Sequence, residues 1–170
     1  MLKYISDREH YTEVLAHCKT VKHDLWIATA DLKDLYVEHA GKVQPFLGEL
    51  DVLLKRGVDI RLLHAKEPGE NFRKDFDRFP GLWKKLERRL CPRVHAKILV
   101  FDSQQVYIGS ANLTGAGLGM KADDNRNFEA GILTDELSIV DAAANHIDTI
   151  WRGTHCSKCN RKDFCGDRIG

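Results

Sequence analysis

Three short runs rich in β-branched and aromatic residues crowd the second half of the chain, at 94–101, 105–110 and 127–134. They restrict the fold more than any other feature, because strands this closely spaced belong together in one sheet. Upstream, residues 24–30 (DLWIATA) form an apolar run suited to a buried strand, and 58–63 (VDIRLL) form another. Between them Val43, Phe46, Leu47, Leu50, Leu53 and Leu54 recur at helical spacing. Gly57 stands where a helix C-cap glycine belongs, so 43–56 reads as helix. Strand, helix and strand followed by adjacent strands predict an α/β fold, a mixed sheet covered by helices on both faces.

The rest of the chain fills in around that frame. Ser6 and Glu9 form a capping-box pattern ahead of Tyr11, Val14, Leu15 and Cys18, which predicts a helix over 7–20. A loop and short helix are expected over 68–78, a helix over 81–90, and a last helix from a cap at Asp135 to about Trp151. Nothing resembling a linker interrupts 1–152, so the expectation is one domain there and a separate tail over 153–170, packed against it. No apolar run approaches the length of a membrane span, and the charged N-terminus lacks a signal-peptide core. A cytoplasmic protein without a membrane partner is the expectation.

Chemistry concentrates at His95-Ala-Lys97-Ile-Leu-Val-Phe-Asp102. On an extended strand His95 and Lys97 share one face. Lysine is rarely buried without a partner, so an anion should meet the pair. Ser110 and Asn112, at the end of the next strand, offer hydroxyl and amide donors from one face. Glycines at 109, 115, 117 and 119 would let backbone approach a ligand. Glu129 adds a carboxylate able to orient an imidazole. Together these groups suit a tetrahedral phosphoryl group: an imidazole to attack, donors to hold the oxygens.

The spacing His95-x-Lys97-x4-Asp102 followed by Gly109-Ser110-x-Asn112 resembles the signature of the phospholipase D superfamily, with Glu129 similar to its downstream acidic residue. The resemblance implies a phosphodiesterase without a catalytic metal. It assigns His95 as nucleophile, Lys97, Ser110 and Asn112 as phosphate ligands, Glu129 as the partner of a histidine, and Asp102 a structural or supporting part. Members of that family use two such motifs, one imidazole attacking while the other protonates the leaving oxygen. Here His64-Ala-Lys66 echoes the motif without a following Gly-Ser-x-Asn, and the simpler reading of His64 is a strand-end residue near the rim. The second motif is therefore expected from an identical subunit, as in the family's single-motif endonucleases. A two-fold axis is the simplest way to pair two histidines.

The net charge is only +1, so a nucleic-acid site has to be a local patch. Lys84, Lys85, Arg88, Arg89 and Arg93 approach His95, preceded by Arg73, Lys74 and Arg78. Such a band suits backbone phosphates, although Asp75, Asp77 and Glu87 could equally make it a solvated helix face. DNA or RNA is the expected substrate. The alternatives are a non-catalytic nucleic-acid binder and a phospholipid phosphodiesterase.

The tail carries Cys156-x2-Cys159-x5-Cys165, a metal-ligand spacing one ligand short of a closed tetrahedral site. Cys91, His155 and Cys18 are the candidates for the fourth, with Cys91 favoured because it would clip the tail beside the catalytic strand. Structural zinc is the expectation. An iron-sulfur cluster is the alternative, since the spacing also resembles the C-terminal cysteine cluster of the iron-sulfur nucleases.

Overall fold

The computed structural model describes residues 1–33, 35–39, 41–118 and 123–167; Gly119 and the last three residues of the tail lie outside it. In chain order the strands are β1 Leu2–Ser6, β2 Asp24–Thr29, β3 Tyr36–His39, β4 Lys42–Pro45, β5 Asp59–His64, β6 Glu87–Leu90, β7 Ile98–Phe101, β8 Gln105–Gly109 and β9 Ala130–Thr134. A π-helical turn, His10–Leu15, leads into α1 Ala16–Cys18. It is followed by α2 Phe46–Lys55, α3 Glu70–Asp77, α4 Pro80–Lys85 and α5 Leu137–Trp151.

Seven strands make one mixed sheet in the order β1-β9-β8-β7-β2-β5-β6, and β3 and β4 form a separate hairpin. The crowded runs lie side by side: β7, β8 and β9 are antiparallel neighbours. β2 runs parallel to β5 and antiparallel to β7, which joins the two halves of the sheet. Alternation along the strands divides the core. Ile27, Leu62 and Leu99 bury on the face covered by α2 and the π-helical turn, while Ala28, Leu63, Ile98 and Val100 bury under Val140, Ala143 and Ile147 of α5. The mixed sheet with helices on both faces is as expected.

Tertiary pairing overrides local pattern in several places. Residues 42–45 leave the expected helix to pair with β3, and Pro45, extended at ψ 139°, starts α2 one residue later. Beyond α2, Gly57 has φ +89°, the left-handed C-cap conformation that glycine adopts without strain. The helix expected over 81–90 stops at Lys85. From Glu87 the chain is extended, because β5 offers it a parallel edge and Arg61 meets Glu87 at 2.8 Å. β1 gave no clear signal because Leu2 and Tyr4 face outward at a sheet edge, yet it pairs with β9 along its full length. Glu9 accepts the Ser6 N–H at 3.0 Å, half of the expected capping box. Asp135 caps nothing: it pairs with the N-terminal ammonium, and α5 begins without a side-chain cap.

Candidate active site at the strand ends

β7 begins only at Ile98, so His95 and Lys97 lie on the extended lead-in rather than within the ladder. Lys97 is buried at 8% exposure, and its ammonium sits 2.8 Å from the His95 carbonyl and 3.2 Å from His95 Nδ1. An ammonium has three hydrogens to give, so one remains for an incoming anion. His95 itself is exposed. Gly109 N–H donates to the Lys97 carbonyl at 3.1 Å, which fastens the start of the Gly-Ser-x-Asn segment beside the lysine.

Ser110 and Glu129 are joined across β8 and the approach to β9. The Ser110 hydroxyl donates to Glu129 Oε2 and accepts the Ala130 N–H at 3.0 Å. Asn127 Nδ2 donates to the other carboxylate oxygen at 3.1 Å, and the Glu129 N–H donates to Asp7 at 3.2 Å. Glu129, expected to orient an imidazole, thus holds Ser110 and Asn127 within the chain. Asn112 is fixed through its carbonyl oxygen, which accepts the Asp31 N–H at 3.2 Å. No described residue accepts from its amide nitrogen, which leaves two hydrogens for a ligand. Ala28 pairs with Ile98, so the chain leaving β2 at Thr29, whose hydroxyl is 3.5 Å from Asn112 Oδ1, runs beside Lys97. His95, Lys97, Ser110, Asn112 and Glu129 therefore gather at one end of the sheet.

Asp102 is at the other end. Four residues of β7 separate it from Lys97, about 15 Å of extended chain. It has φ +52° in the β7–β8 turn and accepts the N–H groups of Lys22 (3.0 Å), His23 (2.6 Å) and Asp24 (3.2 Å). Burial alone would raise its carboxyl pKa, but those three amides together hold it below the usual carboxylate value. Its place in the sequence motif reflects the fold: it ties the start of β2 to the end of β7.

Gly109 also has a structural reason. A Cβ there would collide with the Tyr107 ring and the Ala130 carbonyl, so the glycine makes room for the largest fully buried side chain of the sheet rather than for a ligand. His10 stacks edge-on against Tyr107 with ring centroids 5.4 Å apart. Its Nδ1 donates to the Asp7 carbonyl at 2.9 Å, and burial holds its pKa below the ordinary imidazole value. No motif in the sequence marks His10, which sits fully buried in the core against Tyr107. His64 ends β5 as expected, but it is fully buried, with Nδ1 bonded to the Lys66 carbonyl at 2.9 Å; desolvation lowers its pKa too. It does not stand on the rim.

Two concavities flank the strand ends. His95 opens onto a cleft of about 240 Å³ whose other walls include Cys91, Arg93, His146, His155, Cys156 and Cys159. Asn112 and Asn127 open onto a larger groove of about 990 Å³ carrying Asp31, Lys33 and Lys66. The expected basic band is broken up. Arg88 and Arg89 lie on β6, so they point to opposite faces: Arg88 shares Glu67 with Arg73, and Arg89 donates to the Trp151 carbonyl. Arg78 is paired with Asp75 at 3.0 Å. The free charge nearest His95 is therefore narrower than a uniform band.

The cysteines divide. Cys18 is fully buried on α1, 3.7 Å from the Val14 carbonyl, and burial pushes its thiol up to about 12, which removes it as a ligand candidate. Cys159 has its thiol pKa lowered, chiefly by the Arg161 N–H at 3.4 Å and then by Arg93. Among the described residues no three His, Cys, Asp or Glu side chains stand at metal-coordinating spacing. No helix among them is long and apolar enough to cross a membrane.

The comparisons fit this geometry. NucT from Helicobacter pylori superposes with a TM-score of 0.64 at 13% identity, over 89% of this chain and 96% of that one. Nuc from Salmonella typhimurium, a phospholipase D family member, does so at 0.65 and 16%, over 89% and 93%. TrmBL2, an archaeal chromatin protein, does so at 0.62 and 14%, over 89% of this chain and 52% of that one. No curated protein matches the sequence. The family described as cardiolipin synthase, PLD-like domain, matches residues 12–151. With its strand ends carrying His95, Lys97, Ser110 and Asn112, the chain belongs to that phospholipase D-like family.

Proposed function

We propose that this protein is a phosphodiesterase that cuts DNA or RNA, with an active site completed by pairing His95 with its copy across a two-fold axis. The observation that carries the reading is the exposed imidazole of His95 held against the buried ammonium of Lys97, beside the free amide of Asn112. One imidazole and one set of phosphate ligands supply a nucleophile but no proton donor for the leaving oxygen.

In the first step the Nε2 lone pair of one His95 forms a bond to phosphorus. The P–O bond to the leaving alcohol breaks, and that oxygen takes a proton from the imidazolium of the other copy. A water then gives its proton back to that imidazole as its oxygen attacks phosphorus and the P–N bond breaks. Attack through Nε2 requires the ring proton on Nδ1, so the 3.2 Å contact from Lys97 opens as the ammonium turns to the phosphate. Lys97 and Asn112 stabilise the phosphoryl oxygens, Ser110 joins them when its hydroxyl turns from Glu129 to the phosphate, and no catalytic metal enters. Asp102 acts through the fold.

Pairing of two copies is supported by an uncovered apolar row, Tyr4, Ile132 and Ile108, adjacent across β1, β9 and β8 and ending next to Gly109. Nucleic acid is supported by the exposed Arg93 beside His95 and, less directly, by the open groove, where Lys33 and Lys66 share Asp31 at 3.3 Å each. TrmBL2, whose structure is described as showing a mode of DNA binding, supports the second reading: a non-catalytic binder on the same fold.

The deciding assay incubates the purified chain with single- and double-stranded DNA and RNA, a bis-phosphodiester and anionic phospholipid vesicles. No divalent cation is added, and chelator is present. Cleavage of nucleic acid that is lost in His95→Ala, from a species sedimenting as a dimer, is the expected result. Salt-dependent binding without turnover, unchanged in His95→Ala, replaces it with the binder. Hydrolysis of the vesicles alone, or a need for added magnesium, overturns it.

A further inference from the structure

From residue 154 to 167 the tail turns almost nothing inward. Cys156, Cys159 and Cys165 are half-buried and every other residue of the stretch is exposed, Phe164 at 69% included. A short segment ordinarily docks by burying apolar side chains. Here the side chains directed at the domain are thiols. Its direct bonds to the sheet are few and fall on the last residue of the edge strand β6: Asp167 accepts the Leu90 N–H at 2.6 Å, and the Cys165 thiol donates to the Leu90 carbonyl at 3.8 Å. Cys91 is the next residue along, and it shares the His95 cleft with Cys156 and Cys159.

The local backbone already suits thiolates. The Cys159 N–H donates to the Cys156 carbonyl at 3.1 Å, closing the turn between the paired cysteines, and the Arg161 N–H points at Cys159 Sγ. Amide-to-sulfur bonds of this kind stabilise a sulfur that has lost its proton.

We propose that Cys91, Cys156, Cys159 and Cys165 bind one zinc ion as four thiolates, stapling the tail to the β6 edge and fixing one wall of the cleft onto which His95 opens. Four sulfur ligands close a tetrahedral site, so the ion has no open position for substrate and its part is structural. The thiols are not yet at coordinating spacing, so loading draws them together, releases their protons and orders the tail in one event. Cys18 is sealed in the core, and His155 is exposed beside Cys156, where adjacent residues seldom share an ion.

The test measures metal by plasma emission on the full chain expressed with zinc, alongside tryptic cutting at the exposed Lys158, Arg161 and Lys162. The expected result is about one zinc per chain. Cys91→Ser and Cys159→Ser should each come free of zinc, with far-UV circular dichroism unchanged and tail cutting at least about tenfold faster. His155→Ala and Cys18→Ala should keep the metal. A zinc-free chain with freely titrating thiols, iron with acid-labile sulfide, or zinc retained in Cys91→Ser but lost in His155→Ala would each overturn the proposal. None of these readouts involves phosphodiester cleavage, so failure here leaves the nuclease reading standing, and failure there leaves the staple.

Discussion

The strand ends and the cysteine tail are both rich in reactive side chains, but they are held by opposite means. At the strand ends the polar residues are fixed by backbone groups in the strands or just beyond them: Gly109 to Lys97, Ala130 to Ser110, Asp31 to Asn112. Beneath them lies a core of fully buried residues such as Leu62, Leu25 and Tyr107. The described part of the tail has no core of its own, and its hydrogen bonds to the sheet fall on Leu90 of the edge strand β6. A catalytic group needs its position set before substrate arrives, which a sheet supplies directly. A segment this short has to borrow its rigidity from a cross-link.

The largest expected effect is at His95. Its replacement by alanine should lower kcat by at least about a thousandfold, measured on whichever nucleic acid is cut, with the melting temperature unchanged. A large loss of stability instead would mean that the strand ends are not independently fixed. Next comes the core below them: Leu62→Ala should cost about 2–5 kcal/mol in denaturant unfolding. A smaller cost would show that the rigidity of the site does not come from that packing.

Asp102→Ala should cost about 1–2 kcal/mol by freeing three amides, and it should affect stability rather than the nucleophile. Because its folded pKa is depressed, its contribution is present above the unfolded carboxyl pKa and disappears as pH falls through the lower folded value. The variant's stability should therefore flatten against pH below about 4. His10 and His64 act at higher pH by the same sign: both are held below the ordinary imidazole pKa, so the unfolded chain binds protons more readily. Stability should drop as pH falls below about 6.5, less so in His10→Gln. Asp167→Ala, at the tail, should change zinc-free stability by about 1 kcal/mol, since it removes one half-buried hydrogen bond. A larger change would mean that the tail is integral to the sheet and would erase the contrast.

Much of the fold was legible because the core strands carry continuous apolar runs, as strands buried on both faces do, and α2 a clear 3.6-residue stripe. The misreadings fall where an edge decides. Residues 87–90 (ERRL) have no strand signature of their own and become β6 because β5 presents an unpaired side. β1 similarly borrows its structure from β9. At the site, His95, Lys97, Ser110 and Asn112 were legible as a motif with fixed spacing. His10 was not, since a single histidine on a helical face looks the same whether it is solvated or buried against Tyr107.

The sequence by itself determined which residue types stand close along the chain: the His-x-Lys pair, the Gly-Ser-x-Asn segment and the tail's cysteine spacing. Only the tertiary structure decided which end of the sheet each one reaches. Side chains a few residues apart on an extended strand are separated by about 3.3 Å per residue, so Lys97 and Asp102, neighbours in the motif, end at opposite ends of the sheet. Cys91 and Cys156, far apart in sequence, meet at one cleft because the chain between them runs out through β7 and β8 and returns along α5.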